Sequence, residues 1–102
     1  MNILLVEDHA VVREGVRRLL SVHFPLTIFE ASNVEAALEL YERERPDIVL
    51  LDLNLDGAGG LEMLRRVMTI DAAAKILIFS MHSEPAFAAR ALKAGAKGYV
   101  SK

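Results

Sequence analysis

Short apolar runs alternate along this chain with longer segments in which apolar positions recur every three to four residues. The runs at 3–6, 48–51 and 76–79 contain no polar residue, which is typical of strands buried on both faces of a parallel sheet. Two weaker runs, at 26–31 and 97–101, are interrupted by polar residues. We interpret these two as strands at the edges of the same sheet.

The intervening segments predict four helices. One helical face carries the apolar residues of the first segment: Val12, Val16, Leu19 and Leu20. This pattern predicts an amphipathic helix over about 10–22. A second helix is predicted over about 33–44, after a capping-box pattern that starts at Ser32. The third is indicated by apolar residues at helical spacing: Leu61, Leu64, Val67 and Met68. The fourth is expected over 84–94, where Gly95 ends it.

Strict alternation of strands and helices has a direct topological consequence. Right-handed crossovers between parallel strands place helices on both faces of the sheet. The predicted fold class is therefore α/β, a doubly wound parallel sheet of five strands in the flavodoxin-like order 2-1-3-4-5. Such sheets bind ligands beyond the carboxyl ends of their strands, so the functional residues should lie where strands end.

Composition narrows the class of protein further. The chain has 102 residues, of which 53% are hydrophobic and 25% charged, enough for one folded core. A formal net charge of -2 lacks the basic excess that nucleic-acid binding requires. There is no cysteine, no signal peptide, and no apolar run of the roughly 18 residues needed for a membrane span. We expect a cytoplasmic domain that binds neither nucleic acid nor membrane.

Polar side chains follow the strong strands. Glu7 and Asp8 come after the first run, Asp52 after the third strand, and Ser80 after the fourth. Gathered carboxylates repel one another unless a cation joins them, and clusters of oxygen ligands suit Mg²⁺. The sequence thus predicts a magnesium site. Glu7 and Asp8 can both reach it only if the chain leaves the strand there, because successive strand residues point to opposite faces.

The end of the fifth strand adds a cation. Lys102 follows that strand, with Tyr99 three residues earlier. A carboxylate beside Mg²⁺, a lysine and a hydroxyl has the groups needed to accept a phosphoryl group. Asp52 would be the nucleophile, Lys102 would neutralise a phosphoryl oxygen, and the Ser80 hydroxyl would donate to that oxygen.

With these residues in place, the chain resembles the receiver domain of response regulators, the phosphoacceptor half of two-component signalling. The matching stretches are 5–9, 46–54, 76–80 and 94–102, so residues 1–102 are interpreted as one receiver domain. The resemblance implies that a sensor histidine kinase phosphorylates Asp52. It also implies that Asp8 and Asp52 hold Mg²⁺, that Glu7 acts through water, and that the Asn54 backbone carbonyl completes the ligands.

The resemblance extends to regulation. It implies that Ser80 and Tyr99 form a conformational switch pair and that Asn54 and His82 tune the lifetime of the phosphoryl group. The residues around 11–15 and 97–99 are most similar to receivers that precede a LuxR-type helix-turn-helix output domain. We therefore expect a regulatory phosphoacceptor rather than an enzyme, with a transcriptional output domain that this chain does not contain.

Two departures from the family pattern stand out. Asp56 occupies a position where relatives usually have proline, and the chain stops at Lys102, where relatives continue into a fifth helix. Without that helix one sheet face, including alternate residues of 76–79 and of the Tyr99 strand, should be uncovered. An uncovered apolar face attracts another surface, so self-association or a homodimer is expected.

Other classes of site or function share parts of this sequence pattern. A pseudo-receiver would keep the fold without phosphorylation. A haloacid-dehalogenase-type phosphatase needs a second aspartate where Asn54 stands. An EF-hand loop starting at Asp52 fails because its twelfth position is Met63. Three histidines lack a shared spacing, which disfavours a zinc site and suggests surface positions: His9, His23 and His82.

Overall fold

The computed structural model describes residues 1–52, 59–80 and 85–101 of the chain. Five strands alternate in these ranges with four helices: β1 Asn2–Val6, α1 Ala10–His23, β2 Thr27–Ala31, α2 Val34–Glu44, β3 Ile48–Asp52, α3 Gly59–Ile70, β4 Ile76–Ser80, α4 Pro85–Lys93 and β5 Gly98–Ser101. Every predicted element is present, and each boundary lies within about two residues of the bound that the sequence predicts. None of the described helices is both long and apolar enough to span a membrane.

All five strands join one parallel sheet in the order β2-β1-β3-β4-β5. The doubly wound fold and the strand order are thereby confirmed. The two weaker runs do form the edges, and in β2 only Ala31 is buried. Central strand β1 is buried from Ile3 to Val6, which explains its unbroken apolar sequence.

Helix α2 shows how local sequence sets an element boundary. Its N-cap is Asn33, whose side chain accepts a 2.8 Å hydrogen bond from the Ala36 backbone N–H. The predicted capping box was therefore wrong by one residue, because the extended backbone of Asn33, rather than Ser32, brings a side-chain oxygen to the first helical turn. At the other end Arg45 adopts a left-handed conformation with φ 45°, and Pro46 follows it.

The two faces of the sheet are covered differently. The hydrophobic core lies on the face shared by α2, α3 and α4, where one set of alternate strand residues is buried: Leu4, Val6, Val49, Leu51, Ile76 and Ile78. On the opposite face, α1 leaves an apolar groove of about 310 Å³. Its lining is entirely apolar: Met1, Ile3, Leu20, Phe24, Leu26, Ile48, Leu50 and Leu77.

Strand β5 shows which of its alternate residues face the covered core. Tyr99 pairs in register with Ile78 and packs against the covered core, so its side chain does not belong to the open face. Gly98, paired with Leu77, lies one residue away on the other side of the strand, because side chains alternate between faces. A Cβ added at Gly98 would come within 2.9 Å of Leu77 Cδ2, so glycine allows close approach there.

Candidate functional site

The site is built at the carboxyl edge of the sheet, where β1 and β3 end side by side. Strand β1 ends at Val6 and α1 begins at Ala10, so the acidic pair lies in the connection between them. The predicted turn is therefore present, and it lets Glu7 and Asp8 serve the same site. Asp52 is the last residue of β3, preceded by a strand rather than by the helix of an EF-hand.

Ligand atoms of Glu7, Asp8, His9 and Asp52 lie within 4.8 Å of one another. Glu7 is 0% exposed and Asp52 1% exposed, whereas the Asp8 side chain is 27% exposed. Burial of ionised carboxylates is costly unless cations or hydrogen bonds compensate it. The structure thus confirms that the strand ends gather the acidic side chains into one cluster.

His9 contributes a contact that the sequence did not predict. Its backbone N–H donates to Glu7 Oε1 at 3.1 Å, and its ring Nδ1 lies 2.8 Å from the same oxygen. Nδ1 is also 3.0 Å from Asp8 Oδ1. The Glu7 hydrogen bond, followed by the charge of Asp8, raises the pKa of His9 above 6.5. The ring is 67% exposed, so the surface interpretation holds, but one edge joins the cluster.

Arg13 of α1 is a second residue with a contact at this edge that the sequence did not predict. Its Nη1 donates to the Glu7 backbone carbonyl at 2.8 Å, and its Nε lies 3.5 Å from Glu30 Oε1. Arg13 therefore ties α1 to the end of β1 and to β2. A sequence signal for this role is weak, because the contact depends on how the helix lies on the sheet.

The remaining predicted residues are described to different extents. Ser80 ends β4 with its backbone in register with Ser101, which places it at the same edge as Asp52, and its side chain is not among the described ones. Tyr99 is half-buried against the core. Three residues predicted to act at the site lie outside the described residues: Asn54, His82 and Lys102.

The donor set fits a small, hard divalent cation. Three carboxylates converge, and carboxylate oxygens are the ligands that Mg²⁺ takes in proteins. Asp8 Oδ1 is buried and accepts no hydrogen bond from any described residue, since the Nδ1 hydrogen bond of His9 goes to Glu7 instead. A bound cation would give this oxygen the partner that it lacks among the described residues.

Comparison with known proteins agrees with this geometry. A model of the response regulator receiver domain matches residues 3–102. The nitrate/nitrite response regulator protein NarL of Escherichia coli K12 is 42% identical over 102 residues, covering 99% of this chain and 47% of its own length. Response regulator UvrY of the same strain is 39% identical over 103 residues, covering 100% of this chain and 47% of its own length.

Solved structures give the same result. A LuxR-family two-component response regulator from Aurantimonas sp. SI85-9A1 superposes with a TM-score of 0.94 at 48% identity, covering 99% of this chain and 73% of that one. The receiver domain of a NarL response regulator from Mycobacterium tuberculosis gives 0.90 at 35% identity, covering 98% and 82%.

The sheet order and the acidic edge define a regulatory phosphoacceptor, and the chain belongs to the response regulator receiver domain family. Within that family it is similar to NarL and LuxR-family response regulators. This membership sets aside the phosphatase interpretation. The chain spans about half the length of the curated relatives that it matches.

Proposed function

We propose that the chain accepts a phosphoryl group on Asp52 in a Mg²⁺-dependent reaction and so acts as the input of a two-component signalling pathway. The observation that carries this proposal is the meeting of buried Asp52 with Glu7 and Asp8 at one sheet edge. Asp8 and Asp52 would hold the cation directly, Glu7 through water, and the Asn54 backbone carbonyl would complete the protein ligands.

Each side chain has a separate part in this chemistry. The Asp52 carboxylate attacks the phosphorus atom, which forms a new O–P bond while the bond to the donor's leaving group breaks. Lys102 would neutralise a phosphoryl oxygen and Ser80 would donate a hydrogen bond to it. Bound Mg²⁺ supplies charge neutralisation between the carboxylates and the phosphoryl oxygens. The protein supplies position, with Arg13 fixing the backbone beside Glu7.

Phosphorylation would be transmitted through Ser80 and Tyr99. A charge-assisted hydrogen bond from Ser80 to the phosphoryl group contributes about 1.5 to 3 kcal/mol, enough to invert a modest conformational bias. Tyr99 is half-buried against the core next to this strand end, and it would turn further inward. The output surface would then be formed by α4 and β5.

Partners follow from the same proposal. Residues 1–102 would serve as one receiver domain, phosphorylated by a sensor histidine kinase. Its output would be transcriptional, through a LuxR-type DNA-binding domain on the same or an associated polypeptide, while this chain contacts no nucleic acid or membrane. Asn54 and His82 would set the lifetime of the phosphoryl group.

Intact mass spectrometry tests the proposal directly. The protein is incubated with a small phosphodonor such as acetyl phosphate, with and without Mg²⁺, and weighed. We expect one base-labile phosphoryl group that requires Mg²⁺ and is absent from Asp52→Asn. Asp47→Asn is the matched control, because Asp47 is an exposed aspartate before β3, at the opposite edge of the sheet. Full phosphorylation of Asp52→Asn would refute the assignment, and no phosphorylation of the wild type would favour a pseudo-receiver.

A further inference from the structure

His9 occupies a helix N-cap without capping the helix. N-cap positions favour side chains whose oxygen accepts from the first turn, yet His9 makes no side-chain capping bond to α1. Its imidazole turns instead to the acidic cluster, where Nδ1 lies 2.8 Å from Glu7 Oε1 and 3.0 Å from Asp8 Oδ1. The ring thus faces the two carboxylates that follow β1.

The 3.0 Å between His9 Nδ1 and Asp8 Oδ1 matches the separation of two ligands of one cation. Nδ1 would bind the cation in place of the proton that it shares with Glu7. Two donors bound at right angles to a cation, each about 2.1 Å from it, lie about 3.0 Å apart. The whole set of four donors lies within 4.8 Å, and opposite ligands of such a cation lie about 4.2 Å apart. The spread of the donors is close to that separation, so a small shift would let His9 join Asp8 and Asp52 on one ion while Glu7 acts through water.

We propose that His9 is a cation ligand of the acidic cluster and determines which divalent ions it prefers, by adding a nitrogen donor to an otherwise oxygen-lined site. The inference rests on the cation site of the proposed function and extends it to ion selectivity. Imidazole nitrogen is a preferred ligand of Zn²⁺, whereas Mg²⁺ prefers oxygen. With His9 present, the site takes both ions and holds Zn²⁺ more tightly than its carboxylates alone would.

A positioning role for His9 predicts a different result. If the imidazole only held the Glu7 carboxylate in place, its loss would weaken every cation that uses Glu7 by a similar factor. A nitrogen ligand instead changes the affinity for Zn²⁺ much more than the affinity for Mg²⁺. The ratio of the Zn²⁺ and Mg²⁺ affinities, rather than either affinity alone, separates the two roles. Tight Zn²⁺ binding by itself does not separate them, because most sites with nitrogen and oxygen donors bind Zn²⁺ more tightly than Mg²⁺.

The test is a pair of calorimetric titrations, with Zn²⁺ and with Mg²⁺, on the wild type and on His9→Asn. Asparagine is favoured at N-caps, so this variant should fold. We expect Zn²⁺ binding to weaken by about tenfold or more and Mg²⁺ binding to change by less than about threefold. His23→Asn is the matched control, since His23 is exposed in the last turn of α1, and it should leave both affinities unchanged.

A direct readout accompanies the titrations. The ¹⁵N resonances of the His9 ring should shift strongly when Zn²⁺ is added and weakly when Mg²⁺ is added. The proposal is overturned if His9→Asn binds both ions more weakly by the same factor or binds neither ion more weakly. It is also overturned if the ¹⁵N resonances of the His9 ring do not shift when Zn²⁺ is added. Asp52→Asn separates this outcome from the proposed function, because that variant should lose Mg²⁺ affinity and phosphorylation whether or not His9 is a ligand.

Discussion

Helices α1 and α3 have similar lengths and similar amphipathic patterns, but they bury their apolar sides to different degrees. Five residues of α3 are buried, whereas none of the 14 residues of α1 is. Leu64 of α3 is 0% exposed, while Leu19 of α1 is 60% exposed. Similar sequence patterns therefore lead to different environments on the two faces of one sheet.

The difference in burial between α1 and α3 comes from the number of helices on each face of the sheet. On the covered face, α2, α3 and α4 all contribute residues to one core. On the other face, α1 is the only described helix, and the strand residues beside it line the apolar groove. Hydrophobic burial scales with the area removed from water. The covered face should consequently supply most of the free energy of unfolding. The open face should associate more readily with another molecule.

The largest expected effect tests the stability of the covered face. Leu64→Ala removes a fully buried side chain and should cost about 2 to 5 kcal/mol. Leu20→Ala, the matched change on the half-buried lining of the groove, should cost about 1 kcal/mol, because part of its area stays in water. Urea unfolding of both variants measures the difference. Equal losses would mean that the open face is covered in solution.

The next prediction concerns self-association of the chain through its open face. We expect the chain to self-associate through the groove, as a homodimer or larger form. Phe24 lines the groove and is 54% exposed. Burying such a side chain at an interface contributes about 1.5 to 3 kcal/mol, so Phe24→Ser should weaken association by about tenfold or more.

Sedimentation velocity at several protein concentrations measures this association. Val11→Ser is the control, because Val11 is 87% exposed at the other end of α1 and does not line the groove. Its association should match that of the wild type. A wild-type protein that stays a stable monomer at every concentration would contradict the expectation.

A smaller effect is expected at the N-caps of α1 and α2, which lie on opposite faces of the sheet. Asn33 caps α2, whereas the side chain of His9 does not cap α1. Asn33→Ala should therefore lower the free energy of unfolding by about 1 kcal/mol. His9→Asn should change it by less, because the cap that asparagine adds offsets the lost hydrogen bond to Glu7. Thermal unfolding monitored by circular dichroism compares the two. A larger loss from His9→Asn than from Asn33→Ala would contradict this view of the caps.

The smallest effect lies on the solvent side of α1. Hydrogen bonds from Arg17 and Arg18 lower the pKa of Glu14 from 4.5 to about 2. Because the folded pKa lies below the unfolded one, this stabilisation is present above about pH 4.5 and is lost as the pH falls toward about 2. In Glu14→Gln, the free energy of unfolding should change slightly less with pH over that range than in the wild type. A Glu14 carboxyl titrating near 4.5 by NMR would contradict the expected ion pairs.

Much of the fold was predictable from the sequence, because apolar runs and helical periodicity record local geometry. The strands ending at Val6, Asp52 and Ser80 followed from their composition, and their parallel order followed from the alternation of elements. The gathering of Glu7, Asp8 and Asp52 was predictable for the same reason, since parallel strands end at one edge.

Tertiary structure alone decided how side chains meet across elements. The contact of His9 with Glu7, the tie from Arg13 to the Glu7 carbonyl, and the inward side of Tyr99 depend on how helices and strands lie against one another. Local pattern does not encode these orientations, because each arises from contacts between elements. The sequence by itself thus determined the elements and the acidic edge, and packing determined which further groups reach that edge.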